Sequence, residues 1–358
     1  MAVIIRSRWM FRRLAPCSCV GKVKLAQKAR RAGLRDNGFS NRFVQITEEQ
    51  SLAERLKPRI AREKQFEATG RKLRNKSLLF RYERVWIRPL LKFAFQITGL
   101  YNRGLRNALQ PVVREIEIWS ERLPASFDGY KLLHVSDLHI DGRPLLTAKL
   151  QELLGNVSAD ICLITGDYRF EDYGPCQNIY PEMRKLLPYL VRPDGVFSIL
   201  GNHDVSEIAF ALNDIGIRML VNESVEIRRG NESIWIVGID DPFDYKCDDL
   251  PGALANVPPQ DFKVLLAHTP ELYESASDLR IDLYLCGHTH AGQIRFPIVG
   301  SLRNNADCPK EYAYGSWKHG SMQAYTSAGA GCSALPIRYN CPPEVTLIEL
   351  RRGEKPNA

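Results

Sequence analysis

Five short polar clusters, each at the end of an apolar, strand-like run, constrain this chain more than any other feature. They are Asp137-Leu138-His139, Gly166-Asp167, Gly201-Asn202-His203-Asp204, His268 and Gly287-His288-Thr289-His290. The runs before them are residues 130–135, 160–165, 196–200, 262–267 and 281–286. Residues that leave strands at their carboxyl ends gather at one rim of an α/β sheet. Side chains far apart in sequence can therefore share one site. The chain has seven histidines, and five of them lie in these clusters. Histidine and carboxylate supply the nitrogen and oxygen ligands of borderline divalent metals.

Asp137, His139, Asp167, Asn202, His268, His288 and His290 make seven candidate ligands, enough for two ions if one carboxylate is shared. Residues i and i+2 beyond a strand, such as Asp137 and His139, can reach one centre. Gly166 lets the backbone come close beside Asp167. Two cations about 3.5–4 Å apart form a clamp for in-line displacement at phosphorus. His203 is read as donating a hydrogen bond to a phosphate oxygen or a proton to the leaving group. Asp204 is expected to hold the His203 ring in one tautomer, to cap the helix that follows, or both. His134 sits inside a strand and is read as structural. His319 is read as a loop residue near the pocket.

The rest of 111–358 alternates strand, loop and helix. The patterns predict helices over 145–154, 183–191 and 208–215 and strands over 114–119, 322–327 and 344–350. Strands over 225–229 and 234–239 flank Arg229-Gly230-Asn231-Glu232, a hairpin signal.

Charge is divided along the chain. Residues 1–110 hold 26 Lys plus Arg against 7 Asp plus Glu, a balance of +19; the remainder holds 23 against 34, a balance of −11. A basic arm on an acidic body suggests attraction to an anionic surface, lipid or nucleic acid. Residues 1–110 are expected to form a partly helical or disordered extension. Within it, 51–74 can form charged helices with Leu52, Leu56 and Ile60 on one side. Residues 77–109 mix aromatic and aliphatic side chains with arginine and lysine, which suits a segment lying in a membrane interface. A helix packed on the catalytic body is the competing reading. Hydrolysis of a soluble substrate is expected not to need residues 1–75.

No run approaches the about 18 apolar residues of a spanning helix. Arg12 and Arg13 interrupt any secretory core and lack the apolar stretch of a twin-arginine signal. Nine cysteines without regular spacing suit a reducing compartment. Cys162 and Cys286 are expected as small buried hydrophobes, and Cys17 and Cys19 form an isolated pair.

Taken in order, Asp-x-His, Gly-Asp, Gly-Asn-His-Asp, His and Gly-His-x-His resemble the calcineurin-like metallophosphoesterases over roughly residues 114–351. The stretches Cys286-Gly287-His288-Thr289-His290-Ala291-Gly292-Gln293-Ile294, Ser327-Ala328-Gly329-Ala330-Gly331 and Pro336-Ile337-Arg338-Tyr339-Asn340-Cys341-Pro342-Pro343-Glu344 resemble the bacterial YaeI/YkuE-type phosphodiesterase branch. The resemblance implies an α/β sandwich: two mixed β-sheets flanked by helices, here with a basic N-terminal extension. It implies that Asp137, His139 and His290 bind one metal, that Asn202, His268 and His288 bind the other, and that Asp167 bridges them. His203 becomes the catalytic histidine. The family's ions include manganese, iron and zinc; manganese is the first expectation, with magnesium a further one.

Two departures stand out. Ala291 occupies a place where glycine is common, which matters only if the backbone there needs positive φ. Arg169, after Gly166-Asp167-Tyr168, is more basic than usual. It is read as a contact to substrate phosphate, against a solvent-facing loop arginine. The branch also resembles enzymes of cell-envelope lipids, including one that cleaves the pyrophosphate of UDP-2,3-diacylglucosamine in lipid A synthesis. The leading expectation is a phosphodiesterase or pyrophosphatase of a small or lipid-linked phosphoester, cytoplasmic and peripheral on the inner membrane face. One rival is a nucleotide or nucleic-acid phosphodiesterase whose arm binds nucleic acid. The other is a metal-free scaffold, which a filled ligand set argues against.

Overall fold

The computed structural model describes residues 51–69, 86–301 and 305–355. The Cys17–Cys19 pair, the Arg12-Arg13 dipeptide and residues 77–85 of the interfacial segment lie outside the described residues.

Two six-stranded sheets stack face to face. The first has the order β1 (Val112–Ser120), β14 (Glu344–Arg352), β2 (Tyr130–Val135), β3 (Ile161–Ile164), β4 (Val196–Ser198), β5 (Arg218–Met219). The second runs β12 (Gly315–His319), β13 (Met322–Thr326), β9 (Leu283–Cys286), β8 (Phe262–Leu266), β7 (Glu232–Gly238), β6 (Glu223–Arg229). In the first, β2, β3, β4 and β5 are parallel, and β14 is antiparallel to β2. In the second, β7, β8, β9 and β13 are parallel, with antiparallel β6 and β12 at the edges. A two-stranded ribbon, β10 (Arg295–Phe296) with β11 (Gly300–Ser301), stands apart.

Alternation along the strands builds the layers. Leu132, Ile161, Leu163 and Phe197 of the first sheet meet Ile234, Ile236, Val264 and Leu285 of the second in an inter-sheet core. The side chains between them, Leu133, Val135, Cys162 and Ile164, face the other way. They pack against the helices Leu146–Leu154, Ile179–Leu190 and Ser206–Asp214 through Leu150, Leu186 and Leu212. On the far side, Val237, Leu265, Tyr284 and Cys286 pack under Leu250, Ala276 and Trp317. Strands buried on both faces favour apolar residues at nearly every position, which is why the runs before the polar clusters are mostly apolar, with Lys131, His134, Ser198, Lys263 and Asp282 among the exceptions within the strands and their edges. Cys162 and Cys286 are buried, as expected.

The N-terminal helices depart from expectation. Leu52–Arg55 and Lys57–Thr69 are built into the body along one side and exposed along the other. The side read from sequence is the inward one. Leu56 is fully buried, and Leu52 and Ile60 pack beside it against the helix layer of the first sheet. Arg59 and Phe66 are buried too. Glu63 accepts from the Ser206 amide (2.6 Å) and hydroxyl (2.7 Å), and so caps the helix Ser206–Asp214. His319 closes β12, with its ring against Tyr273 and its Nδ1 3.1 Å from the Tyr312 hydroxyl. It belongs to an aromatic cluster and not to a loop beside the ligands. Among the described residues, no helix is long and apolar enough to cross a membrane.

Candidate active site

The ends of β2, β3, β4, β8 and β9 deliver the polar clusters to one rim. Beyond the strands the chain continues the ladder: the Asp137 amide donates to the Gly166 carbonyl and the His139 amide to the Asp167 carbonyl, both at 3.0 Å. Five of the seven candidate ligands sit at left-handed φ: Asp137 (50°), His139 (38°), Asp167 (58°), His288 (69°) and His290 (50°). Each such non-glycine residue is costly, by about 1–2 kcal/mol, and persists only where its surroundings dictate it. Asp204 supplies part of that dictation. Its carboxylate accepts from the amides of Asp167 (2.8 Å), Tyr168 (2.9 Å) and Gly201 (2.8 Å). Gly287 is required by close approach, because a Cβ there would run into Ser136 and the Asp137 carboxylate.

The seven side chains converge in two groups. Asp137 Oδ1 lies 3.5 Å from His290 Nε2, which is 3.1 Å from His139 Nε2. Asn202 Oδ1 lies 3.0 Å from His268 Nε2 and 2.9 Å from His288 Nδ1. Asp167 Oδ2 stands between the groups, 3.6 Å from His139 Nε2 and 3.3 Å from His268 Nε2. Its other oxygen accepts from the His203 amide (2.8 Å).

Hydrogen-bond roles show what these groups can hold. His139 Nδ1 and His268 Nδ1 each lie 2.7 Å from a backbone carbonyl, of Arg169 and Thr165. His288 Nε2 lies 2.8 Å from the Asn305 carbonyl. A carbonyl only accepts, so these nitrogens carry the protons and the opposite nitrogens present lone pairs. Asn202 Nδ2 donates to Asp244 (3.1 Å), which turns the amide oxygen to the same interior. Acceptor atoms of His268, His288, Asn202 and Asp167 thus converge on one point. A second proton on His268 or a divalent cation relieves their repulsion, and imidazole, carboxylate and amide oxygen suit a borderline divalent ion. His290 is held differently. Its Nδ1 is 3.3 Å from Nη2 of buried Arg338, whose hydrogens are better met by the Ala328 (2.7 Å) and Gly331 (2.5 Å) carbonyls.

Electrostatics agree. Burial pushes the His139 and His290 pKa values down, and that of His288 to about 4, so these rings are neutral at pH 7. Burial acts in the same sense on His268, but the Asp167 carboxylate outweighs it and raises the ring to about 10. Burial would raise Asp167; the neighbouring His268 overcomes it and, with His203 and His139, holds the carboxyl well below its usual range. Positive charge is stabilised at the point where the lone pairs meet.

His203 lies at the rim, more open than the ligands. Its Nδ1 is 2.9 Å from the Phe170 carbonyl, and its Nε2 is 3.1 Å from Asp172 Oδ1 and 3.9 Å from Asp167 Oδ2. Two expectations are corrected here. Asp204 does not orient the His203 ring, since its carboxylate is taken up by three amides, and the helix after it is capped by Glu63. Arg169 does not face substrate. It is buried, and it donates to the carbonyls of His203, Gly174 (2.8 Å) and Asp172 (2.8 Å). Its guanidinium fastens the loop that carries Asp172. Ala291 does need positive φ (49°), so alanine holds a conformation that suits glycine. His134 is fully buried with Nε2 2.9 Å from Thr165 Oγ1, a structural residue as expected.

Four residues that support the site were not singled out for it in the sequence. Asp172 partners His203; its only sequence signal is a place five residues after Asp167 in the same loop. Asp244 fixes the Asn202 amide. Arg338 gathers the Ala328–Gly331 carbonyls behind His290 and gives the quoted 336–344 stretch a structural task. Arg59 donates to the Gly201 and Asp204 carbonyls, pairs with Asp240 and stacks on Tyr245, 3.8 Å from the ring centroid.

The calcineurin-like phosphoesterase family model matches residues 130–292. Phosphodiesterase YaeI of Escherichia coli (strain K12) is 33% identical over 230 residues, covering 62% of this chain and 82% of that protein. The metallophosphoesterase YkuE of Bacillus subtilis (strain 168) is 31% identical over 248 residues, 66% of this chain and 84% of that one. A Danio rerio protein named for a transmembrane protein with a metallophosphoesterase domain is 31% identical over 273 residues, 70% of this chain and 60% of its own length.

Proposed function

Given that the chain belongs to the calcineurin-like phosphoesterase family, we propose that it is a phosphodiesterase or pyrophosphatase whose substrate is carried by a lipid. The chain is a metal-dependent hydrolase of phosphoester bonds, and its family works with a binuclear divalent centre. In this reading Asp137, His139 and His290 hold one ion, Asn202, His268 and His288 hold the other, and Asp167 serves both. The single observation behind the assignment is Asp167 Oδ2, set between two groups of inward-facing lone pairs. Four imidazoles among seven ligands favour manganese, iron or zinc over the all-oxygen preference of magnesium; manganese is the ion to try first.

Divalent ions held there polarise a phosphoryl oxygen and lower the pKa of the attacking water. The chain's own residues do the rest. The Phe170 carbonyl fixes His203 so that Nε2 points to the rim. Asp172 Oδ1 lies 3.1 Å from that Nε2 and helps hold the ring in place. From there His203 donates to the oxygen that leaves phosphorus. Arg169, Arg59 and Asp204 keep these loops in place and touch no substrate.

A lipid-borne substrate is supported by the basic, aromatic composition of the N-terminal part and by the YaeI/YkuE branch. UDP-2,3-diacylglucosamine is the specific candidate, and the inner membrane face the specific location. The test is a side-by-side assay with Mn²⁺ of a UDP-linked lipid, a lysophospholipid diester and cyclic nucleotides. Faster turnover of the lipids supports the reading. Preference for cyclic nucleotides overturns the lipid substrate, and turnover of none overturns the phosphodiesterase.

A further inference from the structure

Among the described residues, two exposed apolar features are anchored to the same short segment beside the ligands. The first is the helix Arg88–Ile97. Trp86, Leu90, Phe93 and Ile97, at helical spacing, are 64%, 68%, 57% and 68% exposed. A stripe of this kind on a soluble surface marks an interaction site. The helix is fixed from its other side by Phe95, whose ring stacks on Tyr339 at 5.5 Å.

The second is the turn Pro297-Ile298-Val299 at the tip of the β10–β11 ribbon. Phe296, Ile298 and Val299 are 49%, 107% and 67% exposed. Ile298 has φ 71°. A β-branched residue in the left-handed region is an outlier, and Gly or Asn would make the same turn at less cost. Among the described residues nothing covers this side chain in compensation. The ribbon is fixed at its base, where the Arg295 amide donates to the Tyr339 carbonyl (3.0 Å) and Asn340 donates to the Arg295 carbonyl (2.8 Å).

Residues 338–340 therefore join the helix to the ribbon. They also adjoin the ligands, since Arg338 lies against His290, and the ribbon begins five residues after it. Charge says what the surface meets. From Trp86 to Arg114 the chain has Arg88, Lys92, Arg103, Arg106 and Arg114 and no carboxylate, and 293–301 carries Arg295 and none. Rings and aliphatic tips among cations suit the headgroup level of an anionic bilayer.

We propose that the Trp86–Ile97 stripe and the Phe296–Val299 turn together form a two-point docking surface for an anionic lipid bilayer, which sets the ligand-bearing rim against the headgroups. This rests on the lipid-borne substrate read above and adds where the protein meets the bilayer. The helix supplies the broad contact. The turn enters as a small apolar tip and fixes the rotation about the helix, so that the rim faces lipid.

The test is flotation of the full chain with vesicles of phosphatidylcholine, with and without phosphatidylglycerol. The full chain should float with the anionic vesicles, and added salt should weaken it. Ile298→Asn with Val299→Ser, a pair that suits the turn, should weaken binding about tenfold, the scale of one or two apolar side chains leaving lipid. Leu90→Ser with Phe93→Ser should do the same independently. Both variants should hydrolyse a soluble aryl phosphodiester at the parent rate. Vesicle binding unchanged by the turn variant overturns the proposal. So does a parent dimer that either variant converts to monomer, because a second copy then covers the surface. Loss of aryl phosphodiester hydrolysis in the parent itself would instead count against the phosphodiesterase reading.

Discussion

Arg59 reaches from the N-terminal helix to the carbonyl of Gly201, 2.7 Å from its Nη2, and so lies directly beneath the loop that bears Asn202 and His203. The same nitrogen donates to the Asp204 carbonyl at 2.8 Å, and the other terminal nitrogen pairs with buried Asp240. Arg59 itself lies outside the 130–292 family match, whereas its partner Asp240 lies within it. Arg59→Met leaves the Asp240 carboxylate buried without its partner, which costs about 3–5 kcal/mol. The melting temperature should fall by roughly 10 °C. Adding Asp240→Asn should recover part of this, and Arg59→Lys should restore charge without the fork. A deletion of residues 1–75 removes this helix. It should abolish hydrolysis of soluble and lipid substrates alike, contrary to the expectation from charge distribution.

Asp167→Asn removes the oxygen charge shared by the two ligand groups. Metal content by elemental analysis should drop at both positions, and kcat/KM on an aryl phosphodiester should fall by more than about 100-fold. That exceeds the 10–100-fold typical of residues one shell further out. Full metal content would refute the sharing.

His203→Asn should lower kcat by about 10²–10⁴-fold while the protein keeps its metal. Asp172→Asn should lower kcat by about tenfold, most for substrates with poor leaving groups, and leave KM nearly unchanged. Asp204→Asn should behave otherwise. It weakens a carboxylate cradle for three amides, so its effect should appear in thermal stability and metal affinity together.

His134 makes acid stability testable. Burial pushes this ring from 6.5 to about 3 in the folded protein. Its folded value is below its unfolded one, so its contribution is whole above about pH 6.5 and is lost as pH falls from there towards 3. Between pH 7.5 and 5 the parent should lose about 2 kcal/mol to this group. His134→Gln should show a correspondingly flatter decline in urea unfolding over that range.

The convergence of the seven candidate ligands was legible because each follows an apolar run and all but His268 stand in a short glycine- or histidine-containing motif. Strand alternation is a local signal, and the rim follows from it. What stayed hidden depends on chain crossings that no local pattern records. Nothing near Arg59 announces that it will sit under Gly201, and nothing near Asp172 announces His203. Arg169 and Asp204 were misread for one reason. Sequence shows a polar side chain beside a motif but not whether backbone carbonyls and amides will use it up. The N-terminal helix was misjudged because its charge dominates the composition, whereas Leu56, Arg59 and Phe66 decide its place. Ala291 carried a conditional reading, and its φ settled the condition.

The left-handed backbone at Asp137, His139, Asp167, His288 and His290 has a consequence for ion choice. A socket cast this stiffly cannot shrink or swell around its guest. Discrimination among cations must then come from how well an ion's preferred bond lengths match a spacing already set by the scaffold. Softening the mould, by giving Asp167 or His288 a freer neighbour, should broaden the range of ions accepted before it weakens the grip on any one of them.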